Sequence, residues 1–243
     1  MNGDVAARAK GEVLKEALGL EIDAGHSGIL ESAGMAGLEL PIFELPTVLL
    51  PGEKVPLHIF EDRYKRMVGR AIEEGEPFGI VLRDDEGARS IGCTARIDDV
   101  ERLDDGDMNI VVSGEAPFKV LDRFESPEYP AGEVELIADE EVPPIDEGSA
   151  NAAREAFAEL AERATGERPE AEELDDASAY AIASRIELPP ETKQRLLEMR
   201  DEDERMGLLA NALNAVERAL DRAEEAAERA SGNGKVHFPG LAE

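Results

Sequence analysis

A chain of 243 residues is long enough for one large domain or two smaller ones, each with its own core. At 42% hydrophobic and 34% charged, the composition is globular. The 56 acidic residues against 26 basic ones give a formal charge of −30, which argues against nucleic acid or an anionic membrane as a partner, since both need basic patches.

The excess is spread along the chain, with 11 basic and 26 acidic residues in 39–141 and 11 basic and 23 acidic in 142–230. Only seven of the basic residues are lysine. A lysine-poor acidic surface suits a high-salt interior, where screening removes self-repulsion, so a halophilic source is expected. No apolar run reaches the roughly 18–20 residues of a membrane span, and the N-terminus lacks the apolar stretch of a secretory signal. A cytoplasmic protein is the expectation. The single Cys93 has no partner for a disulfide or zinc site, and its alternating apolar context predicts a small core residue.

Residues 1–37 contain a helical pattern, Asp4 to Leu18, and then a Gly/Ala/Ser-rich stretch that reads as a flexible leader. Met35 is an alternative start. Residues 39–66, ELPIFELPTVLLPGEKVPLHIFEDRYKR, form two or three short apolar runs divided by Pro41, Pro46, Pro51, Gly52 and Pro56. Each proline fixes φ and removes a donor, so each run must be a short strand or an edge strand.

Tyr64, Met67, Val68, Ala71 and Ile72 fall at helical spacing and predict a helix over 61–74 that lays one stripe on a sheet, ended by Gly75. Strands are expected at Phe78–Leu82, Ser90–Val100, Met108–Val112, Phe118–Leu121 and Gly132–Ala138. The acidic segments 84–87 and 104–107 read as hairpin turns, with hard-cation binding the weaker alternative.

Val142-Pro143-Pro144-Ile145 marks a linker, beyond which the period changes to 3.6. Helices are expected over Ser149–Thr165, from Asp175 or Ser178 to Leu188, from Pro190, and from a cap at Asp201 or Asp203 to Ala230. The last carries Met206, Leu209, Leu213, Val216, Leu220, Ala223 and Ala227, a stripe for a bundle or for a weak coiled-coil dimer. A monomer or weak dimer is therefore expected.

Leu40-Pro41-Ile42-Phe43, Leu50-Pro51-Gly52 and Pro56-Leu57-His58-Ile59-Phe60-Glu61-Asp62-Arg63-Tyr64 together resemble the opening of the N-terminal substrate-recognition domain of Lon proteases. Leu50 departs from the aromatic residue common there. The resemblance continues through Phe78-Gly79-Ile80-Val81, Ile91-Gly92-Cys93-Thr94-Ala95-Arg96-Ile97 and Gly114-x-x-Pro117-Phe118-Lys119-Val120. A helical part with a stretch like Leu188–Glu198 follows the barrel in single-chain members as well. The resemblance implies an α+β fold: a PUA-like pseudo-barrel of mostly antiparallel strands with one helix, then a helical bundle. The expected divisions are a leader at 1–37, a β-rich part at 38–141, a linker at 142–148, helices at 149–230 and a loose tail at 231–243.

No G-x-x-x-x-G-K-[ST] phosphate loop and no G-x-S-x-G serine occur, and the resemblance brings no Ser-Lys protease segment. No catalytic residue, cofactor or metal is expected, since His26, His58 and His237 are isolated in sequence. His58 reads as a strand histidine held by its neighbours.

The resemblance implies a non-catalytic peptide-binding module for unfolded or exposed apolar segments. Leu49, Leu50, Phe60 and Phe78 are the candidate anchors, and Arg63 and Tyr64 either border that surface or serve the architecture. The alternative is an adaptor whose helical part reads one folded partner.

Overall fold

Period-two alternation dominates the first half of the molecule, and the strands it forms curve into a barrel. The computed structural model describes residues 36–125, 129–140 and 147–232. The expected leader helix, most of the proline-rich linker and nearly all of the tail lie outside the described residues. The strands are β1 (Ala36–Leu45), β2 (Lys54–Ile59), β3 (Phe78–Asp84), β4 (Gly87–Arg102), β5 (Met108–Glu125) and β6 (Pro130–Leu136).

β1 pairs in parallel with β3 and antiparallel with β6, while β3, β4 and β5 follow as antiparallel neighbours. β5 gives one edge to β4 and divides the other, pairing Met108–Ser113 with β2 and Phe118–Glu125 with β6. β1, β3, β4, β5 and β6 thereby close into a ring, and β2 is added outside it. The two strands expected at 108–112 and 118–121 are one continuous strand. Register shifts in β4 between Cys93 and Ala95 and between Ile97 and Asp99 let that long strand bend from one partner to the next. Val48, Leu49 and Leu50 are not a strand but a buried loop, tied by hydrogen bonds from Gly52 N to Gly114 O and from Gly114 N to Glu53 O, both 2.9 Å.

The ring is filled by Leu40, Ile42, Val81, Phe118, Val120 and Val134. The Phe118 ring lies against Gly79 and Gly92, where an added Cβ would stand 2.6 and 2.8 Å from its Cζ, so the aromatic fits only because both neighbours lack side chains. Helix α1 (Asp62–Glu74) buries Tyr64, Met67, Val68 and Ala71, the stripe read from the sequence. It ends at Gly75, whose φ of 68° is the left-handed conformation that favours glycine.

Five helices follow: α2 (Glu147–Thr165), α3 (Ala171–Asp175), α4 (Ala179–Ala183), α5 (Pro190–Glu198) and α6 (Glu202–Gly232). The helix expected to reach Leu188 is only the five-residue α4, capped by Ser178 Oγ, which accepts from Ala181 N at 3.2 Å. Pro189-Pro190 bars helix at Leu188 and so sets the outer limit of any continuation, but the helix already ends at Ser184. The short α3 lacks an apolar period and is not evident in the sequence.

α2 and α6 lie side by side and parallel, with Ser149 beside Gly207 at one end and Arg163 paired with Asp221 and Glu224 at the other. Asp201 Oδ1 accepts from Asp203 N and Glu204 N, so Asp201 caps α6. Its stripe is buried at Met206, Leu209 and Leu213, but Leu220, Ala223 and Ala227 are exposed.

Barrel and helices share one apolar cluster, in which Phe43, Leu49 and Leu50 join Phe157, Leu196, Leu197 and Leu209. Buried polar groups cross the same seam. Lys193 of α5 pairs with Glu53, whose other oxygen accepts from Leu50 N at 3.0 Å. Arg205 of α6, only 1% exposed, pairs with Asp139 and Glu202, donates to Met199 O at 3.0 Å and lies over the Tyr180 ring at 4.6 Å. Burial pushes the Tyr180 hydroxyl up to about 12 despite the guanidinium above it.

Candidate peptide-binding surface

Phe60 follows the last residue of β2 and precedes α1, and it is 61% exposed. Fixed geometry surrounds it. The His58 ring stacks beside it, with centroids 6.0 Å apart and planes 23° off parallel. His58 Nδ1 lies 2.9 Å from Asn109 Oδ1 on β5, and Asn109 Nδ2 donates to Glu101 Oε2 at 2.8 Å. Asp107 stands 3.5 Å from His58 Nε2 and binds Lys65 of α1 at 2.5 Å. That hydrogen bond holds the Lys65 ammonium above its ordinary pKa. The aromatic is thus presented on a braced strand end.

β2 pairs with β5 alone among the described strands, so its other edge is open. Val55, Leu57 and Ile59 turn inward while Lys54, Pro56 and His58 face out, the alternation of a strand with one wet face. An open edge offers main-chain acceptors and donors to an added strand, here interrupted at Pro56, which has no N–H.

The other candidate residues are placed differently. Leu49, Leu50, Phe78 and Tyr64 are buried at 5% exposure or less, and they hold the barrel against α1 and the helices. Tyr64 packs on Phe43 with ring centroids 4.1 Å apart, and burial raises its pKa. Arg63 is at the surface, bonded through Nε to Glu61 at 3.0 Å and placed 4.4 Å over the Tyr64 ring. Of the six, only Phe60 and Arg63 reach solvent, and they flank the start of α1.

Leu121, Phe124 and Leu220 are exposed apolar residues that the sequence reading did not place among the binding anchors. Alternation along β5 would have revealed Leu121, because Val120 faces inward and its neighbour must face outward.

Cys93 is buried, and burial pushes its thiol well above the ordinary range, so it is a core residue and not a nucleophile. Among the described residues no cluster of three or more His, Cys, Asp or Glu is arranged for a metal ion, and no helix is long and apolar enough to cross a membrane. The acidic turns carry local roles. Asp84 accepts from Glu86 N at 2.9 Å and is held below its usual pKa, chiefly by its hydrogen bond to Arg89, and Asp105 accepts from Asp107 N at 3.1 Å.

Comparison with known proteins agrees with this architecture. Residues 39–215 match the family model for the ATP-dependent protease La (LON) substrate-binding domain. Lon protease of Anaeromyxobacter dehalogenans is 27% identical over 194 residues, covering 72% of this chain and 23% of its own length. That of Paraburkholderia phytofirmans is 27% identical over 212 residues, covering 79% and 26%. The chain therefore spans about a quarter of the length of the curated relatives it matches. A crystal structure of a Lon N-terminal domain protein from Xanthomonas campestris matches with a TM-score of 0.55 and 28% identity, covering 71% of this chain and 96% of that one. The N-terminal domain of a Mycobacterium avium complex Lon protease, 24% identical, shares the fold with a TM-score of 0.58 over 73% of this chain and 98% of that one. The solved domains share this fold, and the family match runs from β1 into α6: the chain belongs to the Lon substrate-binding domain family.

Proposed function

We propose that this chain is a non-catalytic cytoplasmic module that binds apolar segments of unfolded or partly unfolded proteins. The open edge of β2 adds the segment as a strand, and Phe60 anchors it. The observation that carries this reading is a large aromatic, 61% exposed, just past the end of a strand that has no partner on one side among the described residues. The family description, a substrate-binding domain, supports the same reading.

Main-chain pairing and an apolar anchor break no covalent bond, so recognition here ends in reversible contact. The charge of −30 disfavours nucleic acid as a competitor for the surface. Affinity arises from pairing that any extended segment can make, so binding is weak and tolerant of sequence.

Fluorescence anisotropy with a labelled, unstructured apolar peptide tests this. Phe60→Ser should weaken binding by about 2 kcal/mol, close to thirtyfold, as expected for an aromatic anchor. Equal affinity of the variant and the parent would remove Phe60 from the site.

A further inference from the structure

We infer that a groove at the opposite end of α1 selects segments in which an apolar side chain is flanked by lysine or arginine. This rests on the reading that the chain binds unfolded segments, and it adds a second contact with its own chemistry. The groove is a cavity of 170 Å³ between α1, β1 and the β5–β6 end of the barrel. Met67, Pro77 and Tyr129 line it, and Phe124, 37% exposed, stands at its rim.

Its volume is below the roughly 300 Å³ at which small-molecule sites begin, so one side chain fits where a cofactor does not. Carboxylates surround it. Glu39 on β1, Glu74 at the end of α1 and Glu76 beyond it all line the groove, against the single cation Arg70. Arg70 is already committed, donating to Glu74 Oε2 at 2.8 Å and to the Tyr129 hydroxyl at 2.9 Å. Glu39 and Glu76 have no ion-pair partner among the described residues, and both are exposed. A small slot of mixed polar and apolar lining, edged by uncompensated carboxylates, is complementary to one apolar side chain between cations.

An anionic lipid surface would meet the same carboxylates and be repelled. A peptide whose apolar residue is flanked by acids would be repelled likewise. The occupant that gains from both features is a basic-apolar-basic stretch of unfolded chain.

Three labelled peptides of equal length test the inference in about 0.15 M salt, where charges roughly 8 Å apart still interact. One has an apolar centre flanked by lysine, one the same centre flanked by glutamate, and one a Gly-Ser centre flanked by lysine. The parent protein should bind the first about tenfold more tightly than either of the others. Glu39→Lys with Glu76→Lys should reverse the order of the first two, and Phe124→Ser should erase the difference between the first and third. Both glutamates and Phe124 are at the surface, so a circular dichroism spectrum like the parent's is expected for each variant. An unchanged order in the charge-reversed protein overturns the inference, as does a Gly-Ser centre that binds as well as the apolar one. If Phe60→Ser abolishes binding while the groove variants do not alter it, the groove is rejected and the strand-edge reading stands. If the parent binds none of the three, both are rejected.

Discussion

Two leucines and a phenylalanine within eleven residues of each other have opposite fates. Leu49 and Leu50 are sealed under the helices, while Phe60 is in water. Local pattern does not separate them, since all three stand in proline-divided apolar runs of similar composition. What separates them is tertiary setting: Leu49 and Leu50 belong to the core that also holds Leu196 and Leu197, more than a hundred positions away, and Glu53 beside them pairs with Lys193. Both partners of that pair are about nine-tenths buried. Lys193→Met leaves Glu53 as an unpaired buried charge and should cost about 3–5 kcal/mol in urea unfolding. Adding Glu53→Gln should recover part of the loss, because the orphaned charge is then gone. A single variant as stable as the parent would show that the pair does not hold α5 to the barrel. The sequence named Glu53 and Lys193 in no role, since nothing in their spacing announces a contact across the fold.

The elements themselves were more legible. α1 follows its stripe to within one residue, and Gly75 stops it as expected. Strands β3, β4 and β6 lie close to the expected positions, β3 as a continuous apolar run buried on both faces and β4 and β6 as period-two segments. β5 was read as two strands because Gly114 and Pro117 punctuate it, yet the chain runs on through both. Only the closure of the ring, with β2 and β6 sharing one edge of β5, reveals why a strand of 18 residues is needed. In the helical part the long helices, α5 and the Ser178 start of α4 were legible, but α4 is shorter than expected and α3 was not found, since five residues cannot display a 3.6 period. α6 is 31 residues, roughly 46 Å, and its start was narrowed to Asp201 or Asp203. The structure selects Asp201, whose carboxylate takes two main-chain donors of the first turn. Asp201→Ala should therefore destabilise the protein by about 1 kcal/mol, read as a lower urea midpoint at unchanged slope. No change would mean that this helix end is satisfied by other groups.

Taken as a whole, the molecule carries its acidity on both the barrel and the helices, and pairs such as Arg96 with Asp98 and Glu115 offset only part of it. Self-repulsion on this scale lowers stability in dilute buffer and is relieved by screening. We expect the melting temperature to rise between about 0.1 M and molar salt; a flat or falling curve would contradict adaptation to a salty interior.

Strand addition at β2 is tested most directly by amide hydrogen exchange on the protein with and without a saturating apolar peptide. New protection concentrated in Lys54–Ile59, absent in the Phe60→Ser protein, is the expected result. Exchange at β2 unchanged by a peptide that demonstrably binds would contradict the proposed mode of recognition.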